Sequence, residues 1–230
     1  MRWDKTISAV ILLGAVVNSS AMALEHRVLI IGVDAMRPDS MELANTPNLD
    51  ALIANGAYSN KAQAGDITVS GPGWGSILTG VWRDKHGISN NSFSGKNLDR
   101  FPDVFSRVEA FDPSLETVSL AHWSPINDQI VGTVDAEVSG VSDADIADFA
   151  AKLLSGDSVR VAPRRALRAD PYLMFLHFDD VDGAGHRFGW NATPGSGYMN
   201  AIETTDTHIG TVMGRSMPGR VCYPAMRIGW

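Results

Sequence analysis

Arg27-Val28-Leu29-Ile30-Ile31-Gly32-Val33-Asp34 is the stretch on which the fold turns. Its apolar, β-branched residues run on without the alternation of a half-exposed strand, so the segment reads as a central strand buried on both faces. Tyr172-Leu173-Met174-Phe175-Leu176 has the same character and runs into Asp179, Asp180 and Asp182. Two buried strands that end in carboxylates fit an open, mainly parallel sheet whose functional residues collect at the C-terminal edge. Helical spacing fills the intervals, over residues 46–55 with a stop at Asn55-Gly56, 73–78 and 104–108, and from Ser142 as cap through Ile146, Phe149 and Leu153. A further strand is expected at 117–121, an exposed basic connection at 160–168, and a last helix up to Met213. The fold class is therefore α/β, a mainly parallel central sheet flanked by helices.

With 230 residues and 44% hydrophobic content the chain has enough material for one substantial core. Its formal charge of -7 and lack of a Lys/Arg run argue against a nucleic-acid polymer as partner. The first residues read as an export signal, 1–23: Arg2 and Lys5, an apolar stretch at 7–17, and Ala21-Met22-Ala23 as cleavage site. The apolar stretch falls short of the roughly 20 residues that a stable membrane span needs. Export places the mature chain in the periplasm or outside the cell. Cys222 is the lone cysteine, which leaves Asp and His as ligands for any metal.

Chemistry concentrates in three places. In Asp66-Ile67-Thr68-Val69-Ser70-Gly71-Pro72-Gly73-Trp74-Gly75-Ser76-Ile77-Leu78-Thr79-Gly80, a hydroxyl stands among glycines at the start of a predicted helix, where backbone N–H groups and the helix dipole favour a phosphate or sulfate. Ser70 is placed to attack such a group if a base or metal activates it, and the plainer alternative is that it only caps the helix. In Asp182-Gly183-Ala184-Gly185-His186, a tight glycine turn would bring a carboxylate and an imidazole to one ion. Asp34 at its strand end could serve a metal or merely cap the next turn.

The order strand-Asp34, Thr46-Pro47-Asn48-Leu49, Ser70-x-Pro72 with Thr79-Gly80, His86-Gly87-Ile88, Asn90-Asn91 and Asp182-x-x-Gly185-His186 resembles the type I phosphodiesterases and nucleotide pyrophosphatases of the alkaline phosphatase superfamily. The resemblance implies an alkaline phosphatase-like sheet and a metal-dependent hydrolase of phosphodiester, pyrophosphate or phosphomonoester bonds. It implies Ser70 as nucleophile between two zinc ions, Asp34 and Ser70 facing one, Asp182 and His186 binding the other. Asn91 would donate a hydrogen bond to a phosphoryl oxygen, and the partner would be a small phosphate ester. Thr68 is the second choice of nucleophile, and His86 is expected to be structural.

Two alternatives stand beside it. A sulfatase-like hydrolase shares the spacing of Ser70-x-Pro72 to Thr79-Gly80, but this chain has Trp74 where sulfatases carry arginine and Ala35 where they carry a second acid. A non-catalytic remnant could bind a metal or an anion without turnover, because the family's later Asp-His pair and last His have no counterpart after His186. Residues 24–213 read as the N-terminal portion of the hydrolase domain, incomplete at the C-terminal side, and 214–230 as a divergent tail without periodicity. The expectation is a truncated product with impaired activity.

Overall fold

The computed structural model describes residues 27–63, 65–162, 165–167, 171–214 and 223–228. The expected export segment lies outside these. In chain order the elements are β1 (Val28–Val33), α1 (Pro38–Met41), α2 (Pro47–Asn55), α3 (Ser70–Thr79), α4 (Arg83–His86), α5 (Val104–Phe111), β2 (Thr117–Ala121), α6 (Pro125–Gln129), β3 (Ala136–Ser139), α7 (Asp143–Leu154), β4 (Val159–Ala162), β5 (Arg165–Leu167), β6 (Leu173–Phe178), α8 (Asp180–Phe188), α9 (Gly197–Met213) and β7 (Tyr223–Ile228).

Five strands form one sheet in the order β3-β2-β6-β1-β7, parallel at every pairing. Side chains alternate between two apolar layers, as the period of two along a strand dictates. Leu29, Ile31 and Val33, with Val118, Leu120, Met174, Leu176 and Phe178, join the core that also holds Ile146 and Leu153 of α7 and Ile202 and Ile209 of α9. Phe175 and Ala121 face the other way, into the core of Trp74 and Leu78 from α3 and Phe105 from α5. Both faces are covered, which is why the central strands read as continuous apolar runs.

Trp74 packs so close to β1 that it forbids a side chain there: a Cβ on Gly32 would stand 2.3 Å from its ring. The first turn of α2 is capped from far along the chain. Buried Asp206 of α9 accepts from Asn48 N at 3.2 Å, Asn48 Nδ2 at 2.8 Å and Leu49 N at 2.8 Å. The Thr46-Pro47-Asn48-Leu49 motif is thus an attachment of α2 to α9.

One expectation needs correction, and one strand was not foreseen. The basic stretch 160–168 is not a plain connection, since β4 and β5 pair antiparallel there. Within the stretch read as a divergent tail, 223–228 form a strand that the sequence reading did not foresee, β7, paired with β1 along Val28↔Tyr223 to Val33↔Ile228. Main-chain N–H and C=O groups demand partners whatever the side chains are, and a periodicity of side chains does not register that demand.

Candidate active site

The register of β1 on β6, Val33 opposite Phe178, brings two acids level at the C-terminal edge. Asp34 N donates to Phe178 O at 2.9 Å, and Asp179 follows Phe178 on the neighbouring strand. Asp34 is buried, with Trp74 Nε1 donating to its Oδ2 at 3.0 Å and His177 Nε2 standing 3.5 Å from the same oxygen. Burial pushes the Asp34 carboxyl upward. His177, the Trp74 indole and the Ser70 hydroxyl outweigh that push and hold it below the usual value as a carboxylate.

The chain then turns sharply through Ala35, whose φ of 55° is left-handed. Tyr198 braces this turn: its hydroxyl donates to Ala35 O at 2.7 Å and accepts from Arg37 N at 3.1 Å. An alanine in that region costs on the order of 1 kcal/mol, held by the contacts around it.

Ser70 is the first residue of α3, and Val69 takes the cap position. Ser70 is therefore not the cap. The N–H inventory of this first turn is smaller than its glycines suggest. Gly71 N donates to Asn91 Oδ1 at 2.7 Å, Pro72 has no N–H, and Gly73 N bonds Val69 O at 3.1 Å. At most the Ser70 N–H remains for an anion, and Asn91 becomes the main polar arm above it. With Oδ1 taken by Gly71, the donor end Nδ2 is the part of Asn91 available to a ligand.

The glycine turn expected at 182–186 is a correction as well, since Asp182 and His186 lie one turn apart on α8. Glycines oppose a helix by about 1 kcal/mol each, so tertiary contacts must supply the difference. Buried Asp143 caps the helix, its Oδ1 accepting from Asp179 N and its Oδ2 from Asp180 N, both at 3.0 Å. Gly185 is required because the Trp190 ring lies against it, 2.0 Å from where a Cβ would be. Trp190 then stands edge-on to both His186 and Tyr198, with ring centroids 5.5 Å apart in each pair.

Asp34, Ser70, Asn91, Asp182 and His186 all line one cavity of about 500 Å³, together with Thr68, Arg37 and Trp190. His186 Nε2 is 3.5 Å from Asp182 Oδ2, close to the roughly 3.3 Å that separates two ligands of one tetrahedral zinc with bonds near 2.0 Å. Burial and the nearby Asp34 raise the Asp182 carboxyl, against the pull of His186 and His177. Asp179 is raised to about 6, by burial first and then by Asp34 and Asp182 against the opposing pull of His177 and His122. Arg37, the cation in the cavity wall, is held by Asp39 and by Trp190 O, so it does little to balance these acids. Carboxylates, an imidazole and a hydroxyl crowded together, with Arg37 engaged by Asp39 and Trp190 O, suit a divalent cation.

His86 is structural, as expected. It is buried, its Nδ1 accepts from Ile88 N at 3.1 Å, and its other nitrogen meets Ser76 Oγ at 3.0 Å. Ser76 gives its own hydrogen to Pro72 O, so this pair is not an activated nucleophile. A larger cavity of about 850 Å³ on that side is lined by Ile67, Ser76, Trp82 and Arg83. Of its two acids, Asp66 and Asp84, the first is bound to Arg83, and none of the candidate residues Asp34, Ser70, Asn91, Asp182 and His186 lines it.

Sequence reasoning passed over His177, Asp143, Arg37, Trp190 and Tyr198. Only His177 left a trace, a histidine inside an otherwise apolar strand.

The fold is an α/β one whose parallel sheet gathers acids, an imidazole and a helix-start hydroxyl at its C-terminal edge, donor types that could hold a divalent cation. The type I phosphodiesterase / nucleotide pyrophosphatase family matches residues 28–218, and the chain belongs to that family. Bovine bis(5'-adenosyl)-triphosphatase ENPP4 is 24% identical over 208 residues, 86% of this chain and 45% of that protein. Mouse ectonucleotide pyrophosphatase/phosphodiesterase family member 7 is 26% identical over 85 residues, 37% of this chain and 19% of that protein. Among solved structures, an inactive threonine-to-alanine variant of murine ENPP5 in complex with AMP superposes with a TM-score of 0.59 at 20% identity, covering 83% of this chain and 52% of that one. Phosphonoacetate hydrolase from Sinorhizobium meliloti 1021, with phosphonoacetate bound, gives 0.57 at 15% identity, covering 83% and 54%. The chain thus spans about half the length of these relatives or less.

Proposed function

We propose that this cavity hydrolyses a small phosphate ester or pyrophosphate by attack of Ser70 Oγ on phosphorus. The observation that carries the reading is the lining of one cavity by Ser70, Asp34, Asn91, Asp182 and His186. Asp34 with Ser70 would hold one zinc ion, and Asp182 with His186 a second. Divalent cations bound there would promote loss of the Ser70 proton and neutralise charge on the phosphoryl oxygens.

The chain's own residues do the rest. Asp34 accepts the Ser70 hydroxyl and orients its oxygen. Asn91 Nδ2 donates to a phosphoryl oxygen, in a position fixed by its bond to Gly71. As the new Oγ–P bond forms, the bond to the leaving oxygen breaks, and water then cleaves the phosphoserine ester to free the serine. The exposed edge of Trp190 beside His186 offers an apolar wall to an organic leaving group. AMP in the murine relative and phosphonoacetate in the bacterial one agree in kind with a small anionic substrate.

Each zinc would find fewer assigned protein ligands than the three or four usual for that metal. Binding should therefore be weak and turnover impaired. The export signal, if processed, would deliver the chain to the periplasm or the exterior. Among the described residues no helix is long and apolar enough to cross a membrane.

The test is zinc-dependent release of nitrophenolate from bis(p-nitrophenyl) phosphate by wild type and Ser70→Ala. A slow rate in the wild type, absent from the variant at an unchanged melting temperature, is expected, since a hydroxyl at a helix start contributes only about 1 kcal/mol. Equal rates would overturn the assignment of Ser70.

A further inference from the structure

His177 belongs to β6, is fully buried, and its Nε2 has no hydrogen-bond partner. Its orientation is fixed on two sides. The Trp123 N–H points at Nδ1 from 3.4 Å, and the Trp74 ring meets the imidazole edge-on at 4.8 Å. A ring nitrogen that faces a backbone donor is the acceptor of the neutral imidazole, so Nε2 carries the hydrogen. That N–H stands between two carboxylates, 3.5 Å from Asp34 Oδ2 and 3.8 Å from Asp179 Oδ1. Both are too long for an ordinary hydrogen bond, and a shift of about 0.5 Å by either acid makes one.

We infer that His177 is a positioning residue for Asp34, its Nε2–H backing Oδ2 jointly with the Trp74 indole so that the carboxylate cannot rotate and presents its other oxygen to the cavity. The indole already donates to that oxygen at 3.0 Å, so both ring donors converge on one atom from the buried side. A carboxylate gripped through one oxygen loses little further freedom when its other oxygen takes a cation. The same N–H lies between the like charges of Asp34 and Asp179, which ties the ends of β1 and β6 together under the cavity. The burial of an imidazole in an apolar strand costs stability unless it does work of this kind.

The inference rests on the proposal that Asp34 holds a cation, and the two can fail separately. Zinc binding is measured by calorimetry on the purified chain and on Asp34→Asn, His177→Asn and His177→Gln, with melting curves for each. The glutamine amide nitrogen reaches where Nε2 stands, whereas that of asparagine reaches only as far as Nδ1. The expected result is a loss of about 10–100-fold in zinc affinity for His177→Asn, with His177→Gln within a few-fold of wild type. Wild-type affinity in His177→Asn, or equal losses in the two His177 variants, overturns the positioning role while leaving Asp34 as a ligand. Wild-type affinity in Asp34→Asn overturns both. If His177→Asn does not fold, His177→Met fills the volume without a donor and is read the same way.

Discussion

Asn91 accepts the Gly71 N–H through Oδ1, and its amide nitrogen is then the end that can meet a phosphoryl oxygen. The two ends can be separated by substitution. Asn91→Asp keeps the acceptor for Gly71 and replaces the donor by a negative charge, so the melting temperature should hold while kcat falls about a hundredfold or more. A rate near wild type would mean that Asn91 only closes the helix. His122 carries a pH signature. Burial pulls its pKa down, but the bond to Asp143 at 2.8 Å and the charges of Asp143, Asp179 and Asp180 raise it on balance above the ordinary 6.5. A raised histidine contributes stability that is fully present below its unfolded value and is lost as pH rises through the folded one. His122→Gln should therefore cost more stability in urea denaturation near about pH 5 than near about pH 9, in metal-free buffer. A cost that does not change with pH would show that the pair acts through packing alone.

Helix α2 starts on Pro47 and depends on Asp206 of α9 for its first-turn N–H groups. Asp206→Ala leaves three donors unpaired next to the core and should cost about 3 kcal/mol in chemical denaturation. A cost below 1 kcal/mol would mean that water replaces the carboxylate. The start of α2 was nonetheless readable from Thr46-Pro47 and its apolar spacing, because proline at a first turn is a local signal. Strands β1, β2 and β6 were readable for a related reason, since burial on both faces leaves apolar runs that no surface element carries. Helix α8 was misread as a turn, because its own glycines vote against a helix. The votes that win, Asp143 at its start and Trp190 against Gly185, come from elsewhere in the chain. Strands β4, β5 and β7 exist through main-chain pairing, to which the period of side chains is blind. The acids of the cavity announced themselves at strand ends. The groups that hold them, His177 and Tyr198 above all, are joined to them only by the fold.

At the scale of the whole molecule, acids on adjacent strand ends of a chain with formal charge -7 set the terms for any anionic ligand. Asp34, Asp179 and Asp182 would repel a phosphate until cations cover them, so ligand affinity should be conditional on metal throughout. The strand order β3-β2-β6-β1-β7 has a further consequence for how the chain comes into being. Strand β1 is the first to leave the ribosome, yet both of its neighbours, β6 and β7, are among the last. At usual synthesis speeds it waits on the order of ten seconds with both edges bare and no sheet to join. Topologies of this kind also fold slowly once complete, because long loops must close before any pairing rewards them. If the first residues act as the export signal expected of them, the delay would be useful, since a polypeptide that cannot close its sheet early remains threadable through a translocation pore. Limited proteolysis of ribosome-bound nascent chains should find β1 cleavable at every length that ends before β6, and early protection of β1 would show that another segment shields it in the meantime.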